Sequence, residues 1–125
     1  MSPVARLPDL APIAFDGADA ASFLHAQLSN DIEHLPDNAA RRAGYCSPKG
    51  RMLASFLVVP RPDGFLLQVA RDIAAPIAKR LSMYVLRSKV KVSDSGWAQF
   101  GVWGRDAGAR LRSAGFDVPA NAMGV

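Results

Sequence analysis

Apolar residues in this chain recur at two spacings, and the change from one to the other marks out its elements. Residues 11–15 form a short apolar run closed by Asp16-Gly17, which predicts a strand. From 19 to 28 the apolar positions Phe23, Leu24 and Leu28 fall on one helical face, with Asp19 at the start where the helix dipole favours negative charge. Ser29-Asn30-Asp31 ends that helix, and Pro36-Asp37-Asn38 marks the loop beyond it. Residues 42–46 and 51–59 then read as two strands around Ser47-Pro48-Lys49-Gly50. In that turn Ser47 accepts from the backbone, Pro48 presets φ, and Gly50 relieves steric conflict. The run 52–59 is almost continuously apolar, which predicts a strand buried on both faces.

Pro60-Arg61-Pro62-Asp63-Gly64 makes a second reversal and residues 65–70 supply the next strand, giving a three-stranded antiparallel meander. A second helix is expected from 75 or 76 to 87, with Pro76 in its first turn and Asp72 just upstream as a cap. Its stripe of Ile77, Leu81, Tyr84 and Val85 reads as core, with Arg80 and Arg87 sharing a side that points away. Residues 90–93 and 97–103 read as further strands across Asp94-Ser95-Gly96, and 106–113 as a short helix stopped at Gly115. From 116 to 125 there is no periodicity, and the segment reads as a connection. The order predicts an α+β fold: a mostly antiparallel sheet with helices on one face and a split β-α-β theme.

Length bounds this to one ordinary domain able to bury a core without staples: 125 residues with a single cysteine, Cys46. Cys46 has no partner for a disulfide and His25 and His34 lie nine apart with no second pair, so a reducing cytoplasm and no metal are expected. Residues 1–15 lack the pattern of a secretory signal, and no span reaches transmembrane length, so no membrane partner is expected.

The net charge of +4 is concentrated: Lys79, Arg80, Arg87, Lys89 and Lys91 follow one another with no acid until Asp94. Such a patch favours polyanions such as RNA or a polycarboxylate ligand. The plainer reading is a solvated helix face and a charged edge strand, Lys89-Val90-Lys91-Val92. Lys49 and Arg51 at the hairpin tip either hold an anion or simply keep the tip in water. His25 reads as a surface histidine, since the sequence supplies no orienting carboxylate. Cys46 reads as a small hydrophobe, with Lys49 nearby as the only feature favouring a thiolate.

Four segments in order carry a resemblance. They are Gly17-Ala18-Asp19-Ala20 with Phe23-Leu24; Gln27-Leu28-Ser29-Asn30-Asp31; Tyr45-Cys46-Ser47-Pro48-Lys49-Gly50-Arg51-Met52-Leu53; and Met83-Tyr84-Val85-Leu86-Arg87-Ser88-Lys89-Val90. From about residue 7 to 105 the chain resembles the YgfZ family, folate-binding proteins related to the glycine-cleavage T-protein. The resemblance implies an aminomethyltransferase-like fold, tetrahydrofolate as ligand, and a role with iron-sulfur enzymes or their assembly proteins and in tRNA modification. By position and polarity Asn30, Asp31, Tyr45, Lys49 and Arg51 are the candidates for the folate site, although core or turn duty explains each of them as well. The Lys-Gly-Cys-Tyr-x-Gly-Gln-Glu motif of the family is absent, so the 125 residues are expected to be the N-terminal part of a longer or truncated member.

Aminomethyltransferases carry an aspartate just after the glycine turn, where this chain reads Arg51-Met52-Leu53-Ala54-Ser55. No glycine-cleavage type transfer is therefore expected. A basic RNA-binding module, or a structural remnant without a ligand site, are the alternative readings.

Overall fold

The computed structural model describes residues 4–97, 99–103, 105–115 and 123. In chain order these form β1 (Val4–Arg6), β2 (Leu10–Asp16), α1 (Ala20–Gln27), β3 (Arg41–Cys46), β4 (Met52–Arg61), β5 (Gly64–Ala70), α2 (Arg71–Ser82), β6 (Lys91–Asp94), β7 (Phe100–Val102) and α3 (Ala107–Ser113). The expected meander is present. Ala43 faces Phe56 and Val58 faces Leu67, and Arg61 pairs with Gly64 across the two-residue turn Pro62-Asp63.

β2 joins this meander by pairing antiparallel with β5 along its whole length, and β6 pairs antiparallel with β2 on the other side. The five-stranded order is thus β3-β4-β5-β2-β6. β5 and β6 run parallel to each other with β2 between them and α2 joining them, which is the split β-α-β theme. β6 is an edge strand, as its lysine–valine alternation suggested.

Both α1 and α2 cover one face of this sheet. Phe23 and Leu24 of α1 and Ile77 and Leu81 of α2 share a single core with Ile13 and Phe15, Ala54, Phe56 and Val58, and Leu67 and Val69. Phe15, Phe56, Leu24, Leu67 and Leu81 are fully buried there. Leu28, Ile32 and Leu35 extend the core beneath the connection from α1 to β3.

Four expectations are corrected. β4 is buried on one face, not two: Ala54, Phe56 and Val58 are inside, Leu57 and Val59 are half-covered and Ser55 is exposed. A long apolar run here reflects a sheet whose outer face is partly covered, not a central strand sandwiched between layers. Next, α2 begins at Arg71, directly after β5, and ends at Ser82. Arg71 fixes that start by donating its backbone N–H to Asp9 O and its guanidinium to Pro8 O and Leu10 O. Pro76 consequently lies inside the helix, where its missing N–H removes the bond to Asp72 O.

Beyond Ser82 the chain turns by i→i+3 bonds from Tyr84 to Leu81 and from Val85 to Ser82, and Leu86 adopts a left-handed φ of 48°. Arg87 is therefore not on the helix with Arg80, and Tyr84 is 47% exposed while Val85 packs on the core. Lastly, the strand expected over 97–103 is only Phe100–Val102. It pairs with the unanticipated β1 in a separate two-stranded sheet, so Asp94-Ser95-Gly96 does not close a hairpin. The segment 116–125 lies outside the described residues, apart from Met123.

Candidate functional site

The β3–β4 tip is built as its residues dictate. Gly50 N–H donates to Ser47 O at 2.9 Å, Arg51 N–H to Ser47 Oγ at 3.2 Å and Ser47 N–H to Arg51 O at 2.8 Å, with Gly50 at φ 83°. These bonds leave Lys49 and Arg51 exposed, and among the described residues neither side chain has a hydrogen-bonding or ionic partner. Cys46 and Met52, paired at a bulge below the tip, are exposed as well, so Cys46 does not behave as a buried hydrophobe.

Asn30 and Asp31 lie on the segment that seals the outer edge of β3. Leu28 bridges Tyr45, Ser29 N–H donates to Gly44 O, and Gly44 N–H donates to Ser29 Oγ. Asn30 Nδ2 donates to Arg42 O at 2.9 Å while its Oδ1 accepts from Asp31 N–H. The Asp31 carboxylate accepts from His34 N–H at 3.1 Å and lies 2.8 Å from His34 Nδ1 and 3.2 Å from His25 Nδ1. Its backbone carbonyl accepts from Arg41. The backbone bond from His34 holds the Asp31 carboxyl below the ordinary carboxylate value against the opposing effect of desolvation, with the His34 ring contact and the two histidine charges adding to the lowering. His25 thus does have a carboxylate beside it, one that sequence spacing did not reveal. Tyr45, at 5% exposure, is a core residue. The structure therefore brings Asn30, Asp31 and Tyr45 together around β3 and leaves Lys49 and Arg51 at its far tip.

The basic patch divides. Lys79 and Arg80 line a groove of about 400 Å³ beside α2, while Arg87 lines one of about 680 Å³ with Asp19, Tyr84 and Leu86. Lys89 and Lys91 follow, both exposed. The backbone here is held by the Gly17-Ala18-Asp19 segment: Asp19 N–H donates to Lys89 O and Lys89 N–H to Asp19 Oδ2. Gly17, at φ 132°, approaches Lys89 O so closely that a Cβ has no room. Two of the sequence motifs are thus one structural clamp.

A pair that sequence reasoning missed is Asp16–Arg61, bidentate at 2.6 Å, with the guanidinium 5.8 Å from the Trp97 ring centre. Its members are 45 residues apart and carry no local signal. Among the described residues no group of three His, Cys, Asp or Glu side chains is placed to hold a metal ion, and no helix is long and apolar enough to cross a membrane.

No protein-family model matches the chain. It is 34% identical over 107 residues to the "tRNA-modifying protein YgfZ" of Edwardsiella ictaluri, covering 85% of this chain and 32% of that protein. It is 32% identical over 108 residues to the "Iron-sulfur cluster assembly factor IBA57 homolog, mitochondrial" of Cryptococcus neoformans, covering 82% and 28%. The glycine cleavage system aminomethyltransferase T of Bartonella henselae superposes with a TM-score of 0.89 at 18% identity, over 98% of this chain and 35% of that one. Over this region the chain is similar in sequence to YgfZ and IBA57-type proteins. It spans about a third of the length of the curated relatives it matches. Its fold is that of the aminomethyltransferase T-protein over the shared region.

Proposed function

We propose that this chain acts as part of a folate-binding unit of the YgfZ type that serves iron-sulfur enzyme assembly or repair and tRNA modification. The 125 residues would correspond to the N-terminal part of such a unit. The observation that carries the reading is the 34% identity, over most of the chain, to a tRNA-modifying protein YgfZ.

What each side chain already bonds decides whether it is free to meet folate. Lys49 and Arg51 fit: two exposed cations without a partner among the described residues suit the carboxylates of a folate tail. Asn30 and Asp31 are committed to Arg42 O and to His34, so their part is to hold the 28–35 segment in place, and Tyr45 contributes packing beneath it. Bound tetrahydrofolate would supply a nitrogen able to carry a one-carbon unit. The stretch after the glycine turn has no carboxylate, and transfer of the glycine-cleavage type is not part of this proposal.

Titration with tetrahydrofolate, followed by Trp97 and Trp103 emission, tests it. Saturable binding is expected, weakened about tenfold or more by the double substitution Lys49→Glu, Arg51→Glu, since two charge-assisted contacts are reversed. Equal binding by the variant removes these residues from the site, and no binding by the native protein sinks the folate reading.

A second reading rests on a separate observation: Tyr84 is exposed and lines a groove with Arg87, a stacking face next to a cation, with the exposed Lys89 and Lys91 following in the chain. On this reading the chain contacts RNA directly. Bulk tRNA should then bind with a steep salt dependence that falls in Arg87→Glu, Lys89→Glu. Absence of binding at low salt excludes it.

A further inference from the structure

We infer that the groove between the start of β4 and α2 is a binding site for a small molecule with an apolar body and a carboxylate, phosphate or sulfonate head, and that Arg80 receives the head. The inference is independent of the folate reading, since none of the groove's residues is among the five assigned to folate.

Arg80 is the anomaly that carries it. Its guanidinium is permanently charged, its Nε is shut off from solvent, and among the described residues that atom has no hydrogen-bond partner. No ion pair among them involves Arg80. The contrast with the other arginines that reach into the structure is clear. Arg41 donates to Asp31 O, Arg61 to the Asp16 carboxylate and Arg71 to Pro8 O and Leu10 O. None of the Arg80 guanidinium nitrogens has a hydrogen-bond or ionic partner among the described residues, and a permanently charged group that lines a groove in this state is placed to take an anion there.

The surroundings say what that partner is. Leu53, Ile73, Ile77 and Met83 line the groove with Lys79 and Arg80, and no acid is among the lining residues. An apolar floor with a cationic rim fits an anion that carries a ring or chain. The groove measures about 400 Å³ and so lies within the range of small-molecule sites, about 300–1,000 Å³. It offers no aromatic face for a base, which argues against a nucleic acid as occupant.

Two fluorescent probes of similar body and different charge test this: 8-anilinonaphthalene-1-sulfonate, an anion, and N-phenyl-1-naphthylamine, which is neutral. Both should bind the native protein saturably. In Arg80→Met, anion affinity should fall about tenfold or more while neutral-probe affinity stays the same, because a charge-assisted contact is lost and the apolar floor kept. The variant's melting temperature should not fall, since the charge removed had no partner among the described residues. Ile73→Glu, which sets an acid in the floor, should abolish anion binding in a protein whose circular dichroism is native. Unchanged anion binding in either variant, displacement of the anion by tRNA, or a marked loss of stability in Arg80→Met would each overturn the assignment.

Discussion

A single carboxylate, Asp31, joins two histidines, His25 and His34, that are far from obvious partners in sequence. Its native carboxyl is held below the ordinary value of 3.8 by His34 N–H and by the histidine rings, so its contribution is present above 3.8 and is lost as pH falls through the lower native value. Thermal melts across an acid series should show native stability dropping below about pH 4 more steeply than that of Asp31→Asn. Parallel curves would mean that the contacts to His34 carry no net stabilisation. His25 adds a constraint. Its Nδ1 accepts from Ile32 N–H at 3.2 Å, so the neutral ring must carry its proton on Nε2. What could be read from residues alone was the chemistry of the turn at Ser47-Pro48-Lys49-Gly50, where every backbone bond follows from residue type. The histidine–carboxylate cluster was not legible, because it depends on where a loop lands.

At the scale of elements, local signals located strands and helices, while tertiary contacts set their ends. The second helix shows this. Pro76 argued for a start near 75, yet Arg71 is pinned by Pro8, Asp9 and Leu10 and draws the start back to 71. An interior proline costs up to about 3 kcal/mol relative to alanine, so Pro76→Ala should raise stability by part of that amount in urea unfolding. No gain would show that the helix is already relaxed around the ring. β1 escaped notice and β7 was expected to be longer for a different reason: each is three residues long, too short to display a period of two. The helix end at Ser82 was hidden because the apolar stripe continues through Val85, which packs on the core from a turn.

For the molecule as a whole, alternation and reversal signals were enough to give the α+β class and the antiparallel meander. The position of β2 in the middle of the sheet was not, since it rests on pairing between residues more than fifty positions apart, such as Ile13 with Leu67. Phe56 is fully buried in the core that the sheet shares with both helices. Phe56→Ala should therefore cost about 3–5 kcal/mol, read from the shift of the unfolding midpoint at constant slope. A much smaller loss would mean that the core collapses around the gap.

The sealing of β3 by residues 28–30 has a consequence for how copies of this protein can meet. Among the described residues the five-stranded sheet offers an open backbone ladder at β6 alone, because Gly44 and Arg42 on the opposite edge already have partners within the chain. Edge-to-edge pairing through that sheet would then stop at two molecules, each using up the other's free ladder, and could not propagate into a fibre.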